Sequence, residues 1–332
     1  MRRVILMAFG SIVPIATVFA AATGYHILTE IPVGGEGGWD YLTVDSAARR
    51  LYVSHGTHVV VVDLEANKVV GDIPDTPGVH GITIAPELNK GFISNGRGNN
   101  VSIFDLKTLK VTGTAATGEN PDSIRYDATS GRVFAFNGRS KSATAIDAKT
   151  GNVAATIPLP GKPEFSVADG KGHVFVNIED TNEIVDIDAA KATVAKKYAL
   201  TGCDGPSGLA IDAKNRKLFS VCSNRVMAVS DPDTGKVVAT PAIGAGSDGV
   251  IFDPGTGYAI SANGDGTMTV VQQSGGKYEV VENIATERAA RTIALDEKTH
   301  RVYTPTAAYG QAATGGRASQ LPDSFKVLVV GK

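Results

Sequence analysis

Charged and imidazole side chains stand at the start of several short apolar segments of this chain, about 42 residues apart. Four carboxylates and one arginine in equivalent places, with a histidine beside them and Gly81 and Ser207 at the other two equivalent places, would form a site that can exchange protons and attract ions of either sign. We predict a ligand-binding site that also contains the single tryptophan. Its members are Trp39, Asp40, His80, Asp122, Glu164, Asp248 and Arg291.

Loops near the same segments supply further polar groups. Arg97 and Arg139 each follow an Asn-Gly pair, and we add both to the predicted ligand-binding site. An irregular stretch rich in Ala and Gly, residues 307–324, is long for a loop in a compact fold. It is either a lid over the site or a disordered segment.

A metal site is a further hypothesis. His55 and His58 are three residues apart in one loop, and His80 lies near Asp40. Imidazoles with a carboxylate suit zinc or copper. The cofactor is therefore unassigned, with a divalent metal as the candidate. The alternative is a hydrated, charged channel that binds no specific ligand.

Sequence motifs for catalysis are absent from this chain. Ser247 lacks the first glycine of a G-x-S-x-G elbow because Ala245 stands there, and no phosphate-binding glycine loop occurs. We therefore favour a protein that binds a small polar ligand or an envelope protein without turnover. The alternative is a lactonase-like hydrolase or lyase that uses the carboxylates, with His80 or Arg291 as acid, base or anion clamp.

The elements that must position these residues follow from an internal repeat. Each copy begins with a short apolar strand that ends in Asp or Pro, and a turn with a basic residue leads into a second strand. The copies end at intervals of 41 to 43 residues, which is typical of β-propeller blades. They are DYLTVD (40–45), GITIAP (81–86), DSIRYD (122–127), EFSVAD (164–169), SGLAID (207–212), DGVIFD (248–253) and RTIALD (291–296).

Both chain ends contribute to the last copy. It has three strands, the third at 324–331, and the segment HILTEIPVG (26–34) matches the fourth strand of other copies. We predict an all-β, seven-bladed propeller of four-stranded blades, with the last blade closed by the N-terminal strand and residues 23–332 as one domain. Antiparallel strands would bring the predicted site residues to one mouth of the ring.

The repeat motifs resemble those of the YncE-like, YVTN-repeat β-propellers of bacterial envelopes. Second strands end in Asn in GFISN (91–95), VFAFN (133–137) and VFVN (174–177), and D-x-x-T-G-K-V-V-A-T occurs at 231–240. The resemblance implies the fold across the mature chain. It implies no single activity, because such propellers include DNA-binding, surface-layer, lactonase-like and haem d1 proteins.

The chain termini, charge and cysteines indicate the compartment. Residues 1–22 read as a signal peptide, with Arg2 and Arg3 before an apolar run, so we expect a periplasmic or secreted monomer without a transmembrane segment in the mature chain. The alternative is that this segment is an N-terminal membrane anchor. A net charge of −2 gives no support for a nucleic-acid or anionic-membrane partner. Cys203 and Cys222 would meet at one mouth and form a disulfide, the alternatives being free thiols or metal ligands.

Overall fold

The computed structural model describes residues 23–311 and 318–332, and the predicted signal peptide lies outside them. Seven four-stranded antiparallel sheets form the blades. The innermost strands are Leu42–Asp45, Val79–Ala85, Pro121–Asp127, Pro163–Ala168, Pro206–Asp212, Ser247–Asp253 and Ala294–Asp296. The second strands are Arg50–His55, Lys90–Asn95, Arg132–Asn137, His173–Ile178, Lys217–Cys222, Tyr258–Asn263 and Arg301–Thr306.

The other two strands of each blade lie farther from the ring axis. The third strands are His58–Asp63, Asn100–Asp105, Ser142–Asp147, Glu183–Asp188, Val226–Asp231, Thr267–Ser274 and Lys326–Gly331. The outer strands are Lys68–Ile73, Val111–Ala116, Val153–Pro158, Thr193–Ala199, Lys236–Ala239, Lys277–Ala285 and His26–Pro32. One short 3₁₀ helix, Pro86–Leu88, follows the second inner strand.

The last blade combines both ends of the chain. The N-terminal strand His26–Pro32 pairs antiparallel with Lys326–Gly331, which pairs in turn with Arg301–Thr306. The predicted all-β propeller with seven four-stranded blades, closed by the N-terminal strand, is therefore confirmed. The hydrogen bonds between the N-terminal and C-terminal strands close the ring.

Strand register corrects one detail of the repeat. Ala85 pairs with Lys90 as Asp127 pairs with Arg132, so the second copy ends at Ala85 and not at Pro86. The sequence repeat placed the end of this strand one residue too late, because Pro86 begins the 3₁₀ helix that replaces the usual Asp turn. The residue equivalent to Asp122 is consequently His80, not Gly81.

The core is divided among the interfaces between blades. One apolar cluster, for example, packs Phe134 and Phe136 of the third blade against Val174 and Val176 of the fourth. The first and seventh blades meet through a cluster that includes Leu51 and Phe325. Rigid packing between blades fixes the inner strands relative to one another, and those strands carry the predicted site.

Glycines let the inner strands approach closely near one end of the ring. A Cβ atom on Gly208 would lie 2.8 Å from the carbonyl oxygen of Asp248, and one on Gly249 would lie 3.0 Å from the Cα of Thr292. A Cβ contact of 2.8 Å with backbone essentially never occurs, and one of 3.0 Å is tighter than most real contacts. Gly208 and Gly249 directly follow Ser207 and Asp248 at one mouth of the ring. The close approach of the strands there brings neighbouring mouth residues near one another.

Asparagines at the ends of second strands hold the hairpins to the third strands in several blades, whereas Asn177 donates to the carbonyl oxygens of Ser207 and Gly208 in the next blade. The buried Asn137 donates hydrogen bonds from Nδ2 to the hydroxyl oxygens of Ser142 and Thr144, both at 3.0 Å. Asn95 and Asn263 form the same kind of paired bonds in their own hairpins. The motif that carries the family resemblance thus serves the fold.

The two cysteines form the predicted disulfide. Cys203 in the loop before the fifth blade and Cys222 at the end of its second strand are bonded, with Cα atoms 5.4 Å apart. In the described part of the chain, no helix is long and apolar enough to cross a membrane.

Candidate functional site

The site is a ring of side chains where the seven inner strands enter the channel. We call these equivalent positions the mouth ring, and six of its seven residues are titratable. Strand pairing places one residue from each blade there, five residues before the strand ends at the turn, or four in the fourth blade, where the strand ends at Ala168. The mouth ring consists of Asp40, His80, Asp122, Glu164, Ser207, Asp248 and Arg291.

Three neighbouring members of the mouth ring converge. His80 Nδ1 lies 2.6 Å from Asp40 Oδ2 and 3.7 Å from Asp122 Oδ1. Burial alone would lower the pKa of His80, but the hydrogen bond to Asp40 and the nearby carboxylates outweigh it and raise the pKa to about 9. The imidazole is therefore a cation at neutral pH and partly balances the two carboxylates.

Asp122 is the least well solvated of these groups. Its side chain is 12% exposed, and Oδ1 is buried without a hydrogen-bond partner among the described residues. Burial and the charge of Asp40 raise the pKa of Asp122 to about 7, against the opposing effect of His80. A buried oxygen without a hydrogen-bond partner destabilises the folded protein, so a ligand that donates a hydrogen bond to it would gain binding free energy.

A second cluster of charges lies on the fourth blade. Lys162 Nζ contacts Glu164 Oε1 and Glu179 Oε2, both at 2.5 Å. Burial and the charge of Asp122 raise the pKa of Glu164 to about 8 even though Lys162 opposes this shift. Two buried carboxyls of the ring therefore titrate near neutral pH.

The remaining ion pair joins the sixth and seventh blades. Arg291 Nε donates to Asp248 Oδ2 at 2.9 Å. Burial and the charge of Asp40 raise the pKa of Asp248 above its ordinary value, although Arg291 acts in the opposite direction. The mouth ring thus contains four carboxyls, and His80, Lys162 and Arg291 are the cations that contact them.

An aromatic pair closes the channel one residue below the mouth ring. Tyr41 of the first blade and Phe165 of the fourth meet edge to face across the ring, with centroids 4.7 Å apart. At this level the second, fifth and sixth blades have glycine, so only these two side chains are large. Burial first, and then the mouth carboxylates, raise the pKa of Tyr41 well above its ordinary value.

Two predicted residues lie apart from the mouth ring. Trp39 is buried in the core between the first and seventh blades, where its ring stacks on Phe325 at 5.1 Å. His55 stacks on the same phenylalanine at 4.3 Å, and burial lowers its pKa to about 4, with a smaller contribution from His58. Both rings pack against protein and offer little surface to a ligand.

The predicted His55 and His58 metal pair is close but incomplete. His55 Nδ1 lies 3.3 Å from His58 Nε2, and Asp72 lies 3.7 Å from His58. Within residues 23–311 and 318–332, the group of three ligand atoms lying within 4.8 Å of one another is instead Asp40, His80 and Asp122. The convergent donors thus lie in the mouth ring.

Two arginines of the predicted site and the predicted lid lie in loops. Arg97 and Arg139 are exposed at hairpin tips. The 307–324 insertion has a narrow neck, in which Tyr309 pairs with Gln320, whereas residues 312–317 lie outside the described part. A role as a lid stays a prediction.

Sequence reasoning missed Lys162, Glu179, Tyr41 and Phe165. Lys162 stands two residues before Glu164, a spacing that suits a contact along one face of a strand and was a usable signal. The contact between Tyr41 and Phe165 joins blades on opposite sides of the ring, so nothing local in the sequence indicates it.

Comparisons with known proteins assign no family to this chain. No protein-family model matches the chain, and no curated protein matches it. The class that the structure defines is a seven-bladed β-propeller. The YncE-like assignment rests on the repeat motifs alone.

Proposed function

We propose that this protein is an exported propeller that binds a small cationic ligand at the mouth ring without chemical turnover. The observation that carries the proposal is Asp122 Oδ1, a buried carboxyl oxygen that has no hydrogen-bond partner in the described structure and only the imidazole of His80, 3.7 Å away, as a nearby cation. A bound ammonium or guanidinium group would supply the missing hydrogen bond and charge.

Proton occupancy supports a cationic ligand. The raised pKa values of Asp122 and Glu164 mean that both carboxyls keep protons near pH 7 in the free protein. A cation that binds there replaces those protons and restores the charged carboxylates. Binding should therefore release protons and tighten as the pH rises from 6 to 8.

A divalent metal is the second candidate ligand, and the convergence of Asp40, His80 and Asp122 favours it. Their ligand atoms lie within 4.8 Å of one another. One imidazole nitrogen and two carboxylate oxygens form a donor set that Zn²⁺ accepts. The metal would displace the proton of His80, and further coordination positions would face the channel.

The disulfide supports export. A bond between Cys203 and Cys222 persists in an oxidising compartment and is rare in the cytosol. This agrees with the predicted signal peptide and with a periplasmic or secreted location.

Calorimetric titration tests the proposal. The protein is treated with EDTA, dialysed, and titrated with Zn²⁺, putrescine and arginine at pH 6 and pH 8. We expect one probe to bind once per chain, more tightly at pH 8, with mass spectrometry recovering the organic probes unchanged. Asp122→Asn should weaken binding about tenfold or more, since it removes the acceptor charge.

Glu65→Gln is the matched control. It removes one carboxylate from an exposed turn, where the side chain is 73% exposed. Affinity equal to that of the unsubstituted protein is expected. If none of the three probes binds, or if Asp122→Asn binds them as tightly as the unsubstituted protein, the proposal is wrong. A new product in the mass spectrum would indicate turnover instead.

A further inference from the structure

A second compartment of the channel lies below the aromatic pair. A chamber of about 280 Å³ extends from Tyr41 and Phe165 toward the opposite end of the ring, where Glu297 lies in the turn after the last inner strand. Its walls include Leu209, Val250 and similar apolar residues. None of its lining residues belongs to the mouth ring. Arg125 is one of them, and most of the other side chains that line the chamber are apolar.

One charged side chain lies among the equivalent residues at mid-height of the inner strands. Strand pairing makes Arg125 equivalent to Thr or to small or branched apolar residues in the other six blades. Those residues are Thr43, Thr83, Val167, Ala210, Ile251 and Ala294. Since six blades pack without a charge at this height, the fold does not require an arginine there.

The guanidinium of Arg125 has only uncharged partners in the described structure. Nε and Nη2 donate to the carbonyl oxygen of Ser166 at 3.1 and 2.8 Å, and the group lies 5.4 Å from the ring centroid of Phe165. No carboxylate from residues 23–311 or 318–332 forms an ion pair with it, and burial lowers its pKa to about 10. A guanidinium has five N–H donors, so about three remain for a ligand.

We infer that the chamber is an anion site for a small organic carboxylate. Arg125 is half-buried. A cation that has lost part of its hydration without gaining a counter-charge is costly, and a carboxylate bound to the spare donors of Arg125 would reduce that cost. The apolar walls would hold an aliphatic or aromatic body, which an inorganic anion lacks. The anion would enter past Glu297, whose exposed charge is screened by solvent.

This site is independent of the proposed cation site. The two lie on opposite sides of the Tyr41 and Phe165 pair, and they differ in charge. A failure of cation binding at the mouth ring would leave the inference about Arg125 intact, and the reverse also holds.

The test is a titration with sodium formate, butyrate and hexanoate in buffer without added chloride. We expect affinity to rise with chain length and hexanamide, the uncharged analogue, to bind at least about tenfold more weakly than hexanoate. Arg125→Gln and Arg125→Met should each weaken hexanoate binding about tenfold or more.

Arg132→Gln is the matched control, because Arg132 lies in the same blade and donates only to the carbonyl oxygens of Ala189 and Ala190. It should bind hexanoate as the unsubstituted protein does. Equal binding by Arg125→Gln, or equal binding of hexanamide, or no binding of any carboxylate would overturn the inference. Equal affinity for formate and hexanoate would overturn the assignment to organic carboxylates.

Crystals of the unsubstituted protein grown in sodium bromide give a test that does not depend on a folded variant. An anomalous peak in contact with the Arg125 guanidinium is expected. Well-ordered density for the chamber with no anion beside Arg125 would contradict the inference.

Discussion

Buried aspartates at the two ends of the inner strands have opposite surroundings. At the turn end, Asp296 accepts hydrogen bonds from Arg49 at 2.5 Å and from the Thr299 hydroxyl at 2.6 Å. Burial raises the pKa of Asp296, but side-chain hydrogen bonds from Ser46, Thr299 and Arg49 outweigh burial and leave the pKa below its ordinary value. At the mouth, Asp122 has no such donors and its pKa is raised.

The comparison separates residues that serve the fold from residues that are available to a ligand. A carboxylate whose oxygens already accept strong hydrogen bonds gains little from a ligand. A buried carboxylate without partners destabilises the free protein and gains much from one. The turn end repeats the hydrogen-bonded arrangement in most blades, although Asp127 of the third blade also has one buried oxygen without a hydrogen-bond partner in the described structure. The mouth ring varies from blade to blade.

The largest expected effect is at the turn end. Asp296→Ala should lower the free energy of unfolding by about 3 kcal/mol, because it leaves the guanidinium of Arg49, 13% exposed, with only the exposed Glu65, 3.9 Å away, as a partner among the described residues. Urea unfolding at pH 7 measures the change. The difference between the two ends of the inner strands would be contradicted if Asp122→Ala, at the mouth, lowered the free energy of unfolding as much as Asp296→Ala does.

Stability should also fall with rising pH because of the mouth ring. The folded protein holds protons on Asp122 up to about pH 7, on Glu164 up to about pH 8 and on His80 up to about pH 9, whereas the unfolded chain loses them near 3.8, 4.5 and 6.5. The folded state therefore binds more protons between pH 5 and 9, so the free energy of unfolding falls across that range.

Asp122→Asn tests how much of this pH dependence of the free energy of unfolding comes from Asp122. Because the amide carries no proton to lose, the variant should lose less stability than the unsubstituted protein between pH 5 and 9. At pH 9 it should be the more stable of the two by about 1 to 2 kcal/mol. Urea unfolding at several pH values gives both curves. Parallel curves would show that Asp122 does not titrate in this range.

The smallest effect is expected on the fourth blade. Lys162→Met removes the cation that lowers the pKa of Glu164, so that pKa should rise further while Glu164 stays protonated and uncharged at pH 7. Lys162 is partly exposed, so we expect a stability change within about 1 kcal/mol at pH 7. A loss well above this would mean that the Lys162 pair serves the fold.

Much of the fold was predictable because the repeat is a local signal. Alternating apolar residues, Asp turns and the split last blade all follow from short segments, and only the register of the second blade was wrong, at Pro86. The chemistry at the start of the inner strands was predictable for the same reason. Topology brings equivalent positions to one mouth whatever residues occupy them.

Contacts across the ring or between the chain ends were not predictable. Trp39 is buried in the core, where it stacks on Phe325, a residue from the far end of the chain. The meeting of Tyr41 with Phe165 depends on the width of the ring. The isolation of Arg125 depends on its neighbours in other blades, and one strand cannot reveal them.

Carboxyl ¹³C NMR titration of the unsubstituted protein and Asp122→Asn tests the central claim most directly. We predict a carboxyl resonance with a midpoint near pH 7 that is missing in Asp122→Asn and whose midpoint falls when a binding cation is added, while Asp296 titrates below pH 3.8. If Asp122 instead titrates near its ordinary value and a binding cation does not move its midpoint, the contrast between the two ends of the inner strands, and the cation site drawn from it, is contradicted.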